Sequence, residues 1–392
     1  MKIAIVHDYL NQRGGAERVV GVMHEMFPEA PIYTLFINHD QLWPALRGAW
    51  IIPSFLQKIP FVERHFKLFF WLYPFAIKTV NVRDCDLVLS SSSAYAKGVR
   101  VRTRSGKKPV HICYCYTPMR FAWNFEAYIA EQTRNRLLLL TARAMIPFLK
   151  WWDVRNSRGV DLFIAVSTAV QHRIEHCYGR TAVVIPPAVE ILDRTAIDGR
   201  SVFAHGLSEG DFFLIVSRLV AYKALDLAVR ACTETGMNLV VIGQGPDRER
   251  LEHMAGPTVR FLGWQPDEVV RDFMVMSTAL IFPGEEDFGI TPLEVNGLGT
   301  PVVAFQAGGA LDTVVPGVNG VFFAEPTVTS LVDALNRVQG MLWDPVKIRA
   351  HAAQFERKEF ERQLAEVIYG IANHGLDSGA RIPMVEQGGL PL

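Results

Sequence analysis

Four short segments of the chain join residue types that suit a phosphorylated, hydroxyl-rich ligand. The strongest is FPGEEDFGITPLEVNGLGTPV, Phe282 to Val302. An apolar run ends there, a glycine-bearing loop presents Glu286, and a helix expected to open near Pro292 carries Glu294. Proline fits the first turn of a helix because its missing N–H has no partner there anyway. Carboxylates at this spacing can each accept from sugar hydroxyls while loop N–H groups meet phosphate or sugar oxygens; a plain solvated acidic turn is the alternative. A second segment, SRLVAYK, follows the apolar run Phe212 to Val216. Its cations Arg218 and Lys223 emerge at a strand's C-terminal end, where open α/β sheets bind ligands, and could clamp a pyrophosphate. Two solvated surface cations would look the same. The third, VVIGQGP, closes a strand in a turn bearing Gly243 and Gly245. It lacks the third glycine and the ribose-binding acid of a dinucleotide site, which disfavours NAD, and a purely structural turn stays open. The fourth stands at the start of the chain, where His7-Asp8-Tyr9-Leu10 ends an apolar run and Gly14-Gly15 lead into Ala16-Glu17-Arg18. Paired glycines allow close backbone approach, and a helix N-terminus offers free N–H groups to phosphate. An ordinary strand-turn-helix connection explains the same residues.

These segments need a sheet to hold them. Short apolar runs alternate with helical patterns along the chain: Ile3 to Val6, Leu87 to Ser90, His111 to Tyr116, Leu162 to Val166, Phe212 to Val216, Leu239 to Ile242, Ala279 to Pro283 and Pro301 to Phe305. Strands covered by helices on both faces read this way. The expected class is α/β, doubly wound, in two copies. At 392 residues the chain exceeds the roughly 250 residues at which single cores stop growing. A boundary is expected near Ile185-Pro186-Pro187, giving domains 1–190 and 191–346, with a C-terminal helix within 347–372 completing the first. Asp198 to Gly210 reads as a polar linker, and the Gly- and Pro-containing tail 373–392 as loose.

The net charge is zero, but residues 1–160 hold 22 Lys+Arg against 11 Asp+Glu, leaving 40 − 22 = 18 against 40 − 11 = 29 for the remainder. A basic half suits nucleic acid, anionic lipid or a phosphorylated substrate, and charge alone does not choose. The five cysteines have no metal-site spacing and fit a reduced cytosol; Cys113 and Cys115 are expected on one buried strand face. Asp84-Cys85-Asp86 reads D-x-D but precedes its strand, so no metal is expected. The opening run is too short for a signal peptide, and Leu68 to Ile77 falls well short of the ~20 apolar residues of a spanning helix.

With these segments in view, the chain resembles glycosyltransferase family 4. Glu286-x7-Glu294 within EDFGITPLE, followed by Gly299-Thr300-Pro301-Val302, looks like that family's signature. The Gly14-Gly15 loop, RLVAYK, VIGQGP, RFLG and AGGALDTV fall in family order. IVHDYLNQRGGAERVV, SSSSAYAKGV and CYCYTPMRFAW resemble the bacterial mannosyltransferase branch that builds O-antigen and exopolysaccharide. The resemblance implies the GT-B fold, two Rossmann-like doubly wound domains facing a central cleft, and a retaining transferase that uses a nucleotide-sugar, GDP-mannose, with UDP-sugars left open. It implies no cofactor and no nucleic acid. Gly14 and Gly15 would lie by the donor phosphates, with Gly243 and Gly245 in the donor site. Arg218 and Lys223 would neutralise the pyrophosphate, Glu294 would hold the ribose and Glu286 would contact the sugar. Phe261 and Leu262 would line the base pocket, and Phe288, Gly289 and Ile290 would offer N–H groups. Tyr116 stands where the branch usually has histidine, keeping a hydroxyl but losing a group that can be charged near neutral pH. Ala224 stands where a basic residue often follows the lysine. Arg120 and Lys97 are acceptor-side candidates. The rival classes are a nucleotide-sugar epimerase on the same scaffold and a degenerate binding protein.

Residues 55–80 and 134–158 crowd aromatic and aliphatic side chains among lysines and arginines. Helices lying in a bilayer interface have this composition; a core with rim charges is the plain alternative. The expected acceptor is therefore a polyprenyl-diphosphate-linked saccharide, met by a peripheral protein on the anionic inner face of the cytoplasmic membrane.

Overall fold

The computed structural model describes residues 1–101, 108–125, 136–191, 194 and 197–374. The loose tail expected at 373–392 lies almost wholly outside the described residues, as do most of the basic run 100–108 and the start of the 134–158 stretch. The chain divides into two compact units, Met1–Ala188 with Arg357–Leu392, and Val189–Glu356.

The first unit holds a seven-stranded sheet. Its strands are β1 (Ile3–His7), β2 (Ile32–Thr34), β3 (Ile51–Pro53), β4 (Leu87–Ser92), β5 (Val110–Cys115), β6 (Leu162–Ala165) and β7 (Ala182–Val184). They run parallel in the order β3-β2-β1-β4-β5-β6-β7. Every residue of β1 and β4 is buried, as expected for central strands covered above and below. Helix α1 (Gly15–Met26) turns Val19, Val20 and Met23 inward. The long helix α2 (Arg136–Ser157) buries Leu149 and Trp152 against the core containing Tyr73, Tyr95 and Met119. The final helix, Arg357–His374, belongs to this unit and sets Phe360 edge-on to Tyr114 at 5.7 Å.

The second unit holds six parallel strands, β8 (Phe213–Val216), β9 (Leu239–Ile242), β10 (Val259–Gly263), β11 (Ala279–Phe282), β12 (Val302–Phe305) and β13 (Gly320–Phe323). Their order is β10-β9-β8-β11-β12-β13. Helix α3 (Leu225–Thr235) covers one face with Leu227, Val229 and Cys232. Helix α4 (Ile290–Gly297) supplies Val295 to the other. Where a C-terminal helix is expected within 347–372 the chain forms two helices, Pro345–Ala352 and Arg357–His374, separated by a short turn at Ala353–Phe355.

The polar reading of Asp198 to Gly210 is corrected. A helix forms at Arg200–Ala204 and buries Val202, and Leu207 joins the same core beside Phe212 and Phe273. Two apolar residues among polar ones suffice to dock a single helical turn. In each sheet the chain winds outward from a central strand to one edge and then resumes on the other side. The direction reverses between β1 and β4 and between β8 and β11. Such reversals leave neighbouring loops diverging at the strands' C-terminal ends, the general ligand position of open α/β sheets.

Candidate functional site

In the second unit the reversal brings together the loops that follow β8 and β11. Lys223 ends a short turn, Ala221–Lys223, and its Nζ donates to Glu286 Oε1 at 2.7 Å. The side chains are 18% and 21% exposed, so the pair is ordered yet reachable. Arg218 on the same loop is exposed. Beyond Glu286 the chain passes buried Phe288, tilted against Phe355 at 6.1 Å, and enters α4 through Gly289. Gly289 has φ +90° as the helix N-cap, and a Cβ there would stand 2.8 Å from the Phe282 ring. Only glycine takes that conformation cheaply. The helix starts at Ile290, earlier than the expected Pro292, so the first N–H groups of α4 open beside the ion pair with a partial positive charge. Glu294 sits one turn into α4, partly exposed.

The glycines here clear space for backbone, which is the structural alternative for the Gly243–Gly245 turn. A Cβ on Gly243 would lie 1.9 Å from the Ser217 carbonyl oxygen, and one on Gly245 would lie 2.0 Å from that of Leu219. At each glycine the space a side chain would take is filled by the cation-bearing loop. That loop is pinned by Ser217 N–H donating to Ile242 O at 3.0 Å and Leu219 N–H to Gln244 O at 2.9 Å. A Cβ on Gly284 would come 2.8 Å from Lys223 O. Gly308 and Gly309 do the same for the acidic loop: their Cβ atoms would meet Glu286 O and Phe288 Cα, each at 2.3 Å. Gly309 N–H donates to Glu286 O at 2.8 Å. Phe261 and Leu262 lie in β10 and pack inward against the two cores flanking the sheet, leaving their backbone in the strand.

In the first unit the reversal gathers polar groups that satisfy one another. Asp8 is buried, and its carboxylate accepts N–H groups from Ser93 at 2.6 Å, Ala94 at 2.9 Å, Tyr95 at 2.7 Å and Ala96 at 2.6 Å. One acid thus fixes the whole loop after β4. Gly14 caps α1 and Gly15 is its first residue; the Gly14 N–H donates to Glu17 Oε2 at 3.1 Å. This protein carboxylate therefore already answers part of the helix's positive end. His7 Nδ1 lies 3.0 Å from Ser91 Oγ, and Ser91 Oγ lies 2.9 Å from the Tyr116 hydroxyl. Tyr116 donates to the Ala16 carbonyl at 3.0 Å. A carbonyl can only accept, so the donors run from His7 through Ser91 and Tyr116 to Ala16. Burial raises the Tyr116 phenol well above its ordinary value. Its hydroxyl is held between Ser91 and the Ala16 carbonyl.

Lys97 is also corrected. It is fully buried, with Nζ 2.5 Å from Asp153 Oδ1 and 2.6 Å from Ala94 O. Asp153 Oδ2 accepts from Trp123 Nε1 at 2.8 Å and the Tyr178 hydroxyl at 2.7 Å. The lysine is a core tie, out of reach of an acceptor. Arg120 opens the short helix Arg120–Trp123 and is partly exposed. The anchoring roles of Asp8 and Asp153 were not read from sequence; the available signal was a lone acid directly behind an apolar strand or inside an apolar helix. Cys113 and Cys115 are both buried on β5, where contact with the Cys113 thiol and then burial push Cys115 well up. Asp86 accepts the Lys2 backbone N–H at 2.7 Å, and no cluster of three metal-ligating side chains occurs among the described residues.

Residues 200–349 match the family described as Glycosyl transferases group 1. A glycogen synthase of Pseudomonas syringae pv. tomato is 30% identical over 43% of this chain and 38% of its own length. A GDP-mannose-dependent alpha-(1-6)-phosphatidylinositol monomannoside mannosyltransferase of Mycolicibacterium smegmatis is 29% identical over 53% of this chain and 59% of its own length. The chain thus spans less than two thirds of either relative. Among solved structures, Anabaena HepE in complex with UDP aligns at TM-score 0.67, with 17% identity, over 94% of this chain and all of that one. The lipopolysaccharide outer core galactosyltransferase WaaB aligns at TM-score 0.63, with 19% identity, over 94% of this chain and 99% of the other. Two parallel, doubly wound sheets and these structural likenesses give the chain the GT-B fold, while the family match covers residues 200–349, less than half of the chain.

Proposed function

We propose that the protein is a retaining glycosyltransferase that takes mannose from GDP-mannose and adds it to a lipid-linked saccharide at a membrane surface. The observation that carries this reading is the Lys223–Glu286 pair at 2.7 Å, beside exposed Arg218 and the first turn of α4. In transfer, the bond from the sugar's anomeric carbon to the departing phosphate oxygen breaks. The acceptor oxygen bonds to the same face, and the acceptor's proton leaves with the nucleoside diphosphate. The largest demand is to stabilise the charge developing on that phosphate, which preorganised cations and N–H dipoles meet without a metal. Lys223 and Arg218 serve the phosphates, the N–H groups of Gly289 and Ile290 serve phosphate and sugar oxygens, and Glu294 holds the ribose. Glu286 orients the sugar while keeping Lys223 in place. In the first unit Tyr116 holds the Gly14–Gly15 loop through Ala16. Gly243, Gly245, Gly308 and Gly309 position the two reactive loops.

Support for mannose and a lipid acceptor comes from the Mycolicibacterium relative, whose name carries both. The glycogen synthase relatives keep glucose in view. The test is a panel of GDP- and UDP-linked sugars with a polyprenyl-diphosphate-linked sugar as acceptor, scored for product and its anomeric configuration. A retained linkage formed from GDP-mannose, lost in Glu286→Ala, is the expected result. Epimerised donor without acceptor consumption, or no turnover of any donor, would overturn the proposal.

A further inference from the structure

The first unit exposes a row of large apolar side chains that its core does not use. Leu68, Trp71 and Phe75 are each about half exposed. With Phe70, Thr141, Met145 and Phe148 they line a groove of about 630 Å³ between the 66–75 segment and α2, within the roughly 300–1,000 Å³ of small-molecule sites. Aromatic contacts continue the groove in one direction: Phe75 stacks on Phe148 at 6.4 Å, and Phe148 meets Trp151 at 6.0 Å. The Arg155 guanidinium lies 5.5 Å over the Trp151 ring. There the apolar path reaches cations. Burial, then Arg100, then Arg155 lower the Lys78 pKa, so three positive groups crowd together, and Arg100 and Arg155 are exposed. The walls carry no answering charge. Residues 66–79 contain no Asp or Glu, and 136–157 contain only Asp153, which is buried on Lys97. Among the described residues none of the three cations has an ion pair, and Lys78 Nζ donates to the neutral Asn156 side chain; an apolar trough leading to such cations complements an anionic head on a hydrocarbon chain.

We infer that this groove seats one acyl chain of an anionic membrane lipid, with the headgroup against Lys78, Arg100 and Arg155. The inference rests on the membrane part of the proposed function and is independent of sugar transfer. It differs from general adsorption in needing a single chain and no bilayer. Decyl phosphate below its micelle-forming concentration is therefore the probe, titrated calorimetrically into the full chain, with inorganic phosphate and decyl maltoside as headgroup and chain controls. Co-sedimentation with phosphatidylglycerol and phosphatidylcholine vesicles runs in parallel.

The wild type should bind decyl phosphate saturably and both controls at least about tenfold more weakly. Thr141→Trp, which fills the trough, and Arg155→Gln should each weaken it by at least about tenfold, and Trp50→Ala, exposed elsewhere, should not. If Thr141→Trp does not fold, Trp71→Ala on the groove wall must show the same loss. Binding to anionic vesicles with no response to decyl phosphate, or with one unchanged in these variants, overturns the groove and leaves the membrane reading standing. Failure to bind vesicles and decyl phosphate alike removes both. A strong preference for a branched isoprenyl phosphate of equal length, or dimerisation through this face, would assign it another occupant and likewise overturn the inference.

Discussion

The two sheets reverse direction in the same way, yet their reversal points treat polar groups oppositely. Between β1 and β4, Asp8 takes four backbone N–H groups. His7, Ser91 and Tyr116 form a closed relay, and Glu17 accepts at the mouth of α1. Between β8 and β11 the side chains of the two loops meet in the Lys223–Glu286 pair, about one fifth exposed on each side, beside exposed Arg218. One edge is held rigid by its own hydrogen bonds; the other leaves charge within reach of solvent. Sheet topology names a place for a ligand, and the degree of internal satisfaction tells the two places apart.

Substitutions should separate the edges. Lys223→Ala and Glu286→Ala are expected to lower transfer by about 10³-fold while shifting stability by no more than about 1 kcal/mol; steady-state kinetics and thermal melts measure both. Asp8→Ala inverts the pattern. It strands buried N–H donors and should cost about 4 kcal/mol of stability, read by urea unfolding. A loss below about 1 kcal/mol would contradict the anchoring role.

The first unit should also lose stability in acid. Burial holds the His111 imidazole down to about 4, below the ~6.5 of an unfolded chain. Between those values the unfolded state binds the extra proton. The contribution is therefore full above about pH 6.5 and shrinks by about 3 kcal/mol as pH falls towards 4. A His111→Gln variant should lack this part of the decline in melts taken across that range. Smaller again, Tyr116→Phe should cost about 1 kcal/mol through the lost bond to Ala16 O. Smallest is Ala224→Gly, which should add about 0.5 kcal/mol because Ala224 sits at φ 51°.

The long apolar runs made the central strands legible, since β1, β4, β8, β9, β11 and β12 are buried on both faces and carry their own signal. The short strands were not legible: Ile32–Thr34, Ile51–Pro53 and Ala182–Val184 are three residues each, too short to show a period. Arg218, Lys223, Glu286 and Gly289 could be singled out in sequence because charge and glycine follow apolar runs, and the structure pairs Lys223 with Glu286. Gly243 and Gly245 carried two readings because sequence cannot tell space cleared for a ligand from space cleared for the Ser217–Leu219 backbone. Lys97 was misread because its partner, Asp153, lies 56 residues away. A charge looks exposed until the fold supplies its counter-ion.

The most direct test of the reading is calorimetric titration of the full chain with GDP and UDP, wild type against Lys223→Ala and Arg218→Ala. One nucleotide should bind the wild type, and each variant should weaken it by about 1.5–3 kcal/mol without a change in melting temperature. A nucleotide affinity left intact in both variants would contradict a diphosphate site at the β8–β11 reversal.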